Sequence, residues 1–203
     1  MAVIGIIDYG MGNLHSVKNA LDFLEIDNFI SSDKEKLAAS DALILPGVGA
    51  FPDAMESLHR DGLVDFIREQ TKTKKLLGIC LGMQLLLEKS YEVRECEGLG
   101  LISGEVIRIT APGLKIPHMG WNDLRFPRET PLTAGLSEGD FVYFVHSFRA
   151  ELACEDDLAA YTEYGERIPA IIGSGNVWGA QFHPEKSERV GLQILRNFGG
   201  MIE

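Results

Sequence analysis

Cysteine is scarce in this chain: 3 in 203 residues, irregularly spaced, with no Cys-x-x-Cys pair. An odd, unpatterned set argues against a disulfide framework or a thiolate zinc site and fits a reducing cytoplasm. Basic charge is in deficit, with 19 Lys and Arg against 30 Asp and Glu and a net charge of −11. Such a surface repels phosphate backbones, so nucleic acid is not expected as a partner. No apolar run approaches the ~20 residues of a membrane span, so no membrane partner is expected either. The opening segment, Met1-Ala2-Val3-Ile4-Gly5-Ile6-Ile7-Asp8, has no basic stretch ahead of it and reads as a core strand, not a signal peptide. Walker-type phosphate loops are missing. Gly10-Met11-Gly12 follows a strand and precedes a helix as a dinucleotide fingerprint does, and Asp33 sits where an acidic partner would. The third glycine position, however, holds His15, so no cofactor is expected, and no metal. Repeats, low-complexity segments and linkers are absent as well, which makes 1–203 a single domain by this reading.

What is present is an ordinary globular balance, 45% hydrophobic and 24% charged. The first half alternates. Apolar strand signals lie at 3–7, 28–31, 42–45 and 76–79. Between and after them come helical patterns: one after Asn13 with Leu14, Val17, Leu21 and Leu24 in phase, one over about 51–70, and one over 81–89. Continuous apolar strands alternating with helices imply a parallel sheet covered on both faces. The second half is richer in strands, expected at 106–109, 122–126, 141–148 and 170–182, before a last helix over about 188–202.

Gly78-Ile79-Cys80-Leu81-Gly82 lies between the fourth strand and its helix and has the form of a nucleophile elbow, with Cys in place of Ser. So tight a turn strains the nucleophile's backbone, and side chains at the flanking glycines would clash. A helix N-terminus favours the thiolate. Free Cys is also a common core residue, but Cys96 and Cys154 lie among carboxylates that oppose thiolate formation, which leaves Cys80 as the candidate. Of the 5 histidines, His183 ends a strand and is followed by Pro184 and by Glu185, which can accept from the imidazole and hold its tautomer. His146 is the runner-up, with a hydrogen-bonded core role the commoner outcome; His15 and His59 read as surface. Leu81 N–H is one oxyanion donor by elbow geometry, and the glycines of Pro46-Gly47-Val48-Gly49 would let a second backbone N–H face the site, or simply make a turn.

These motifs carry a resemblance. Gly78 to Gln84 together with His183-Pro184-Glu185 resembles the triad-type glutamine amidotransferases. Asp8-Tyr9-Gly10-Met11-Gly12-Asn13, Pro46-Gly47-Val48-Gly49, Pro117-His118-Met119-Gly120-Trp121-Asn122 and His183-Pro184-Glu185-Lys186-Ser187 are similar to the glutaminase subunits of imidazole glycerol phosphate synthases, in histidine biosynthesis. The resemblance spans essentially the whole chain. With the alternation it implies an α/β, flavodoxin-like three-layer fold, with a mostly parallel central sheet and antiparallel strands in the second half. It implies that Cys80, His183 and Glu185 form a triad that hydrolyses glutamine, with Leu81, Val48 and Gly49 at the oxyanion hole and Gln84, His146 and Ser147 at the glutamine site. It also implies a heterodimer: Asn13, Trp121 and Lys186 would face a (β/α)₈ barrel cyclase that consumes the ammonia. Two other classes stay open, a stand-alone cysteine amidohydrolase or peptidase of the same fold, and a binding module that no longer catalyses.

Overall fold

The computed structural model describes residues 2–202. The first half runs β1 (Ile4–Ile7), α1 (Leu14–Phe23), β2 (Asn28–Ser31), α2 (Lys34–Ala38), β3 (Ala42–Gly47), α3 (Phe51–Arg60), α4 (Leu63–Gln70), β4 (Lys75–Cys80) and α5 (Leu81–Gln84). The second half runs β5 (Lys89–Ser90), β6 (Cys96–Glu97), β7 (Gly104–Arg108), β8 (His118–Asp123), β9 (Phe141–His146), β10 (Phe148–Leu152), β11 (Leu158–Glu163), β12 (Arg167–Ser174), β13 (Val177–Ala180) and α6 (Glu188–Gly200).

The main sheet has seven strands in the order β11-β12-β13-β4-β3-β1-β2. Strands β2, β1, β3, β4 and β13 are parallel neighbours, while β12 and β11 add antiparallel to β13. The 2-1-3-4 run is the flavodoxin-like order, and the fold is α/β with a mostly parallel centre, as the alternation of strands and helices implies. Side chains alternate between faces. Ile4, Ile6, Ile44, Leu77 and Ile79 pack with Leu21 of α1 and Ile194 and Phe198 of α6 on one side. Ile7, Leu43, Leu45 and Leu76 pack with Leu37 of α2, Met55 and Leu58 of α3 and Ile67 of α4 on the other. Two smaller sheets, β10-β7-β5-β6 and the ribbon β8-β9, lie beside the main one.

Several elements differ from the sequence reading, each for a physical reason. The 51–70 helix is two helices, because Gly62 takes a left-handed φ of 63° and starts α4 afresh. The 81–89 helix stops at Gln84: the carbonyls of Leu85, Leu86 and Leu87 accept N–H groups from Leu99, Gly100, Leu101 and Ile102 instead of continuing the helix. The 122–126 strand is β8, displaced to His118–Asp123, with Gly120 masking its pattern. The 141–148 strand divides at Ser147, where the chain leaves its pairing with β8 and joins β7. Asn13 sits at the start of α1, but its side chain makes no capping bond.

Candidate active site

Cys80 stands between β4 and α5 at φ 55°, ψ −111°. A non-glycine residue in so sparse a region costs ~1–3 kcal/mol, strain that the surrounding fold must hold in place. The flanking glycines are required by close approach. A Cβ at Gly78 would lie 2.5 Å from Gly82 O, and one at Gly82 would lie 1.8 Å from Leu45 O. Removing both side chains lets α5 pass directly over the ends of β3 and β4 and brings the first turn's free N–H groups to the thiol.

β13 runs parallel beside β4 and delivers His183 just past its end. The turn is pinned to β9 by two bonds and braced within itself by a third. His183 N–H donates to Tyr143 O (3.1 Å), Ser187 Oγ–H donates to His183 O (2.7 Å), and Tyr143 N–H donates to Ser187 Oγ (3.0 Å). His183 Nδ1–H donates to Glu185 Oε1 at 2.9 Å, with both side chains almost wholly buried. Nε2, the nitrogen not held by Glu185, has no hydrogen-bond partner among the described residues. Burial opposes the imidazolium, but Cys80 and then Glu185 outweigh it and raise His183 to about 9. A buried thiol, an imidazole with one free nitrogen and a carboxylate orienting the other nitrogen are the parts of a cysteine nucleophile with its base.

They open on a cavity of about 240 Å³ lined by Val48, Gly49, Cys80, Leu81, Gln84, Glu92, Pro117, His183 and residues 145–148. That is below the ~300–1,000 Å³ usual for drug-sized ligands, and suits a small amino acid better than a peptide. Val48, Gly49, Leu81, Gln84, His146 and Ser147 therefore share one cavity with Cys80 and His183, and Glu185 lies behind His183. Gly49 has φ 105°, a glycine conformation. His146 is fully bonded inside, to Phe148 O and to His118. His15 and His59 are exposed. Burial, then Glu97, raises the Cys96 thiol against the pull of Arg94, and Cys154 is exposed and outside the cavity. Asn13, Trp121 and Lys186 do not line the cavity; Trp121 and Lys186 are exposed.

Sequence reasoning missed Glu92, His118 and Gln181. Glu92 lines the cavity while one of its oxygens accepts Phe51 N–H (2.8 Å) at the start of α3. Gln181 lies beside Cys80, with Nε2 to Sγ at 3.9 Å. Glu92 gave no periodic signal, being in a loop. His118 stood inside a quoted motif with no role attached to it, and Gln181 only beside one.

Comparison with known proteins agrees with this fold. The family model described as glutamine amidotransferase class-I matches residues 6–200. Imidazole glycerol phosphate synthase subunit HisH of Bacillus cereus (strain G9842) is 52% identical over 203 residues, covering 99% of this chain and 96% of that protein. The HisH subunit of Bacillus thuringiensis (strain Al Hakam) is 49% identical with the same coverage. Among solved structures, one titled as a glutamine amidotransferase superposes with a TM-score of 0.78 at 24% identity, covering 99% of each chain. PurLQS from Thermotoga maritima gives 0.77 at 21% identity over 100% of this chain and 99% of that one, a likeness of fold alone. The chain belongs to the class-I glutamine amidotransferases and, within them, to the HisH family. It is thus an enzyme subunit.

Proposed function

We propose that the chain hydrolyses glutamine to glutamate and ammonia through a Cys80 thioester and passes the ammonia to a (β/α)₈ barrel cyclase subunit. That partner would form imidazole glycerol phosphate and an aminoimidazole carboxamide ribotide in histidine biosynthesis. The observation that carries the reading is the strained Cys80 sharing one small cavity with His183, whose other ring nitrogen is held by Glu185 behind it. Cys80 sulfur attacks the side-chain carbonyl of glutamine. Leu81 N–H and an N–H of Val48 or Gly49 receive the oxyanion, each worth roughly 3 kcal/mol in comparable sites. The His183 imidazolium gives its proton to the departing ammonia, and the neutral imidazole then activates water against the thioester. Gln84 and residues 146–148 form the wall that holds the substrate, and the free oxygen of Glu92 is placed to accept its α-ammonium.

A partner is required on chemical grounds. Ammonia released into water is protonated and no longer a nucleophile, and the described residues offer no second reaction site. Docking is supported by the outer face of the β8–β9 ribbon, where Met119 (60% exposed) and Trp121 (47%) stand out beside the cavity residue Pro117. Trp121 meets Tyr143 edge-on, with ring centroids 6.1 Å apart. Aromatic groups of this kind commonly anchor interfaces. The test is covalent. A glutamine-analogue electrophile is expected to label Cys80 and neither Cys96 nor Cys154. Cys80→Ala is expected to lose glutamine turnover by on the order of 10³-fold or more, with ammonia-dependent synthesis by the complex retained. Labelling at Cys154 with Cys80 untouched refutes the assignment.

A further inference from the structure

Behind the cavity, polar side chains form one chain of hydrogen bonds whose proton directions are fixed by backbone groups. Asn122 Oδ1 accepts from Asp123 N–H at 3.0 Å, and its Nδ2 donates to Glu163 O at 3.0 Å, which settles the orientation of that amide. Nδ2 therefore also donates to His118 Nε2 at 3.3 Å. That nitrogen is an acceptor, so a neutral His118 carries its proton on Nδ1 and donates it to His146 Nε2 at 3.0 Å. His146 in turn carries its proton on Nδ1 and donates it to Phe148 O at 2.8 Å, a carbonyl that can only accept. The same carbonyl accepts from Gln84 Nε2 at 2.9 Å. Gln84 Nε2 donates again to Gln181 Oε1 at 3.0 Å, which turns Gln181 Nε2 toward Cys80 Sγ at 3.9 Å.

Both imidazoles must be neutral for this to hold, and their surroundings make them so. Burial lowers His118 to about 4. Burial, with His118 and His183 nearby, lowers His146 to about 3 against the opposing Phe148 carbonyl. The directions have a consequence at the reacting atoms. Among the described residues Gln84 makes its hydrogen bonds through Nε2, which leaves Oε1 as the acceptor offered to substrate, and Gln181 presents its Nε2 donor to the Cys80 sulfur.

We propose that His118 is a positioning residue for glutamine hydrolysis: its Nδ1–H fixes the tautomer of His146 and, through Phe148 O, the orientation of the Gln84 and Gln181 amides at Cys80. The inference rests on the function proposed above. Without that donor, His146 Nε2 becomes a buried, unpaired acceptor, or the proton moves to Nε2 and a bare Nδ1 confronts Phe148 O. Either change costs enough to move the wall that holds the substrate. The alternative is a histidine that merely packs, stacked between Phe144 (4.6 Å) and Tyr164 (4.1 Å).

Substitution separates the two. His118→Phe keeps the stack and removes both nitrogens; His118→Asn keeps a donor near the place of Nδ1. In the full chain with its cyclase subunit, His118→Phe is expected to raise KM for glutamine about tenfold, the scale of one unpaired buried acceptor, with a smaller change in kcat. His118→Asn is expected to recover most of the loss. Nitrogen-15 NMR of the wild-type chain is expected to find His146 neutral and protonated at Nδ1, and in His118→Phe to find a tautomer mixture. An Nε2-protonated His146 in the wild type, or an unchanged KM in His118→Phe, overturns the inference. Should His118→Phe not fold, the wild-type tautomer and the His118→Asn KM decide: a KM raised as far as the loss expected for Phe, with His146 still held at Nδ1, overturns it too. Wild-type protein that never turns over glutamine would instead sink the functional reading, while the tautomer measurement stands independently.

Discussion

Two buried histidines near Cys80 are driven in opposite directions, and the difference lies in what each ring faces. His146 loses its charge first to burial and then to the repulsion of His118 and His183, against the one opposing Phe148 carbonyl. His183 suffers the same burial but faces Cys80 and Glu185, and is raised to about 9. The sign follows. Unfolded, the imidazole titrates near ~6.5. The stabilisation from this pairing is therefore fully present below that pH and is lost as pH rises through about 9. On the proposed mechanism the imidazolium protonates the leaving ammonia, so kcat/KM for glutamine is expected to fall on an alkaline limb near pH 9. Glu185→Gln removes one of the groups that raise His183, and the limb is expected to move to lower pH. A pH–rate profile of the two proteins checks this; a limb that stays in place when Glu185 is replaced would mean that Glu185 does not tune the base.

At the scale of elements, the elbow depends on α5 lying against β3 with no side chain between them. Gly82→Ala would put a Cβ 1.8 Å from Leu45 O, a backbone atom that cannot swing aside. The expected result is a loss of at least ~1–3 kcal/mol of stability, together with loss of Cys80 labelling. Gly200→Ala, at the open end of α6 where a Cβ meets nothing, is expected to be neutral or slightly stabilising in the same denaturant titration. The elbow was legible because a local pattern, strand then G-x-C-x-G then helix, coincides with its cause. The parallel centre was legible because strands buried on both faces must read as unbroken apolar runs. What was illegible depended on distant partners. α5 ends where residues 99–102 take over its carbonyls, and the 141–148 strand breaks at Ser147 because it serves two sheets. No window of sequence contains those bonds. Glu92 and Gln181 were missed for the same reason, since each is a site residue only through what lies across the cavity.

The whole molecule places an exposed apolar ribbon at the mouth of a small reaction cavity, and this arrangement suits control by a partner. Met119 and Trp121 point outward from β8, while His118 and Asn122, on the alternate positions, point into the hydrogen-bond chain behind Cys80. One strand thus carries a candidate docking face and a support of the site. Trp121→Ala is expected to weaken the complex by ~2 kcal/mol or more if the tryptophan is an anchor, measurable by titration calorimetry. On the proposed mechanism, the second oxyanion donor is the place where a gate would act. Val48 lies between two glycines, is 43% exposed, and precedes Gly49 at φ 105°. A glycine-flanked peptide can rotate at little steric cost and present either its N–H or its C=O to the cavity. Loss of one oxyanion donor lowers a rate by roughly 10²–10³, enough to keep the free chain from wasting glutamine. Glutamate release is therefore expected to be slow in the free chain, faster in the complex, and fastest with the acceptor nucleotide bound. Steady-state assays under those three conditions decide it. Full activity in the free chain, unaltered by partner or acceptor, would exclude gating and favour a stand-alone hydrolase.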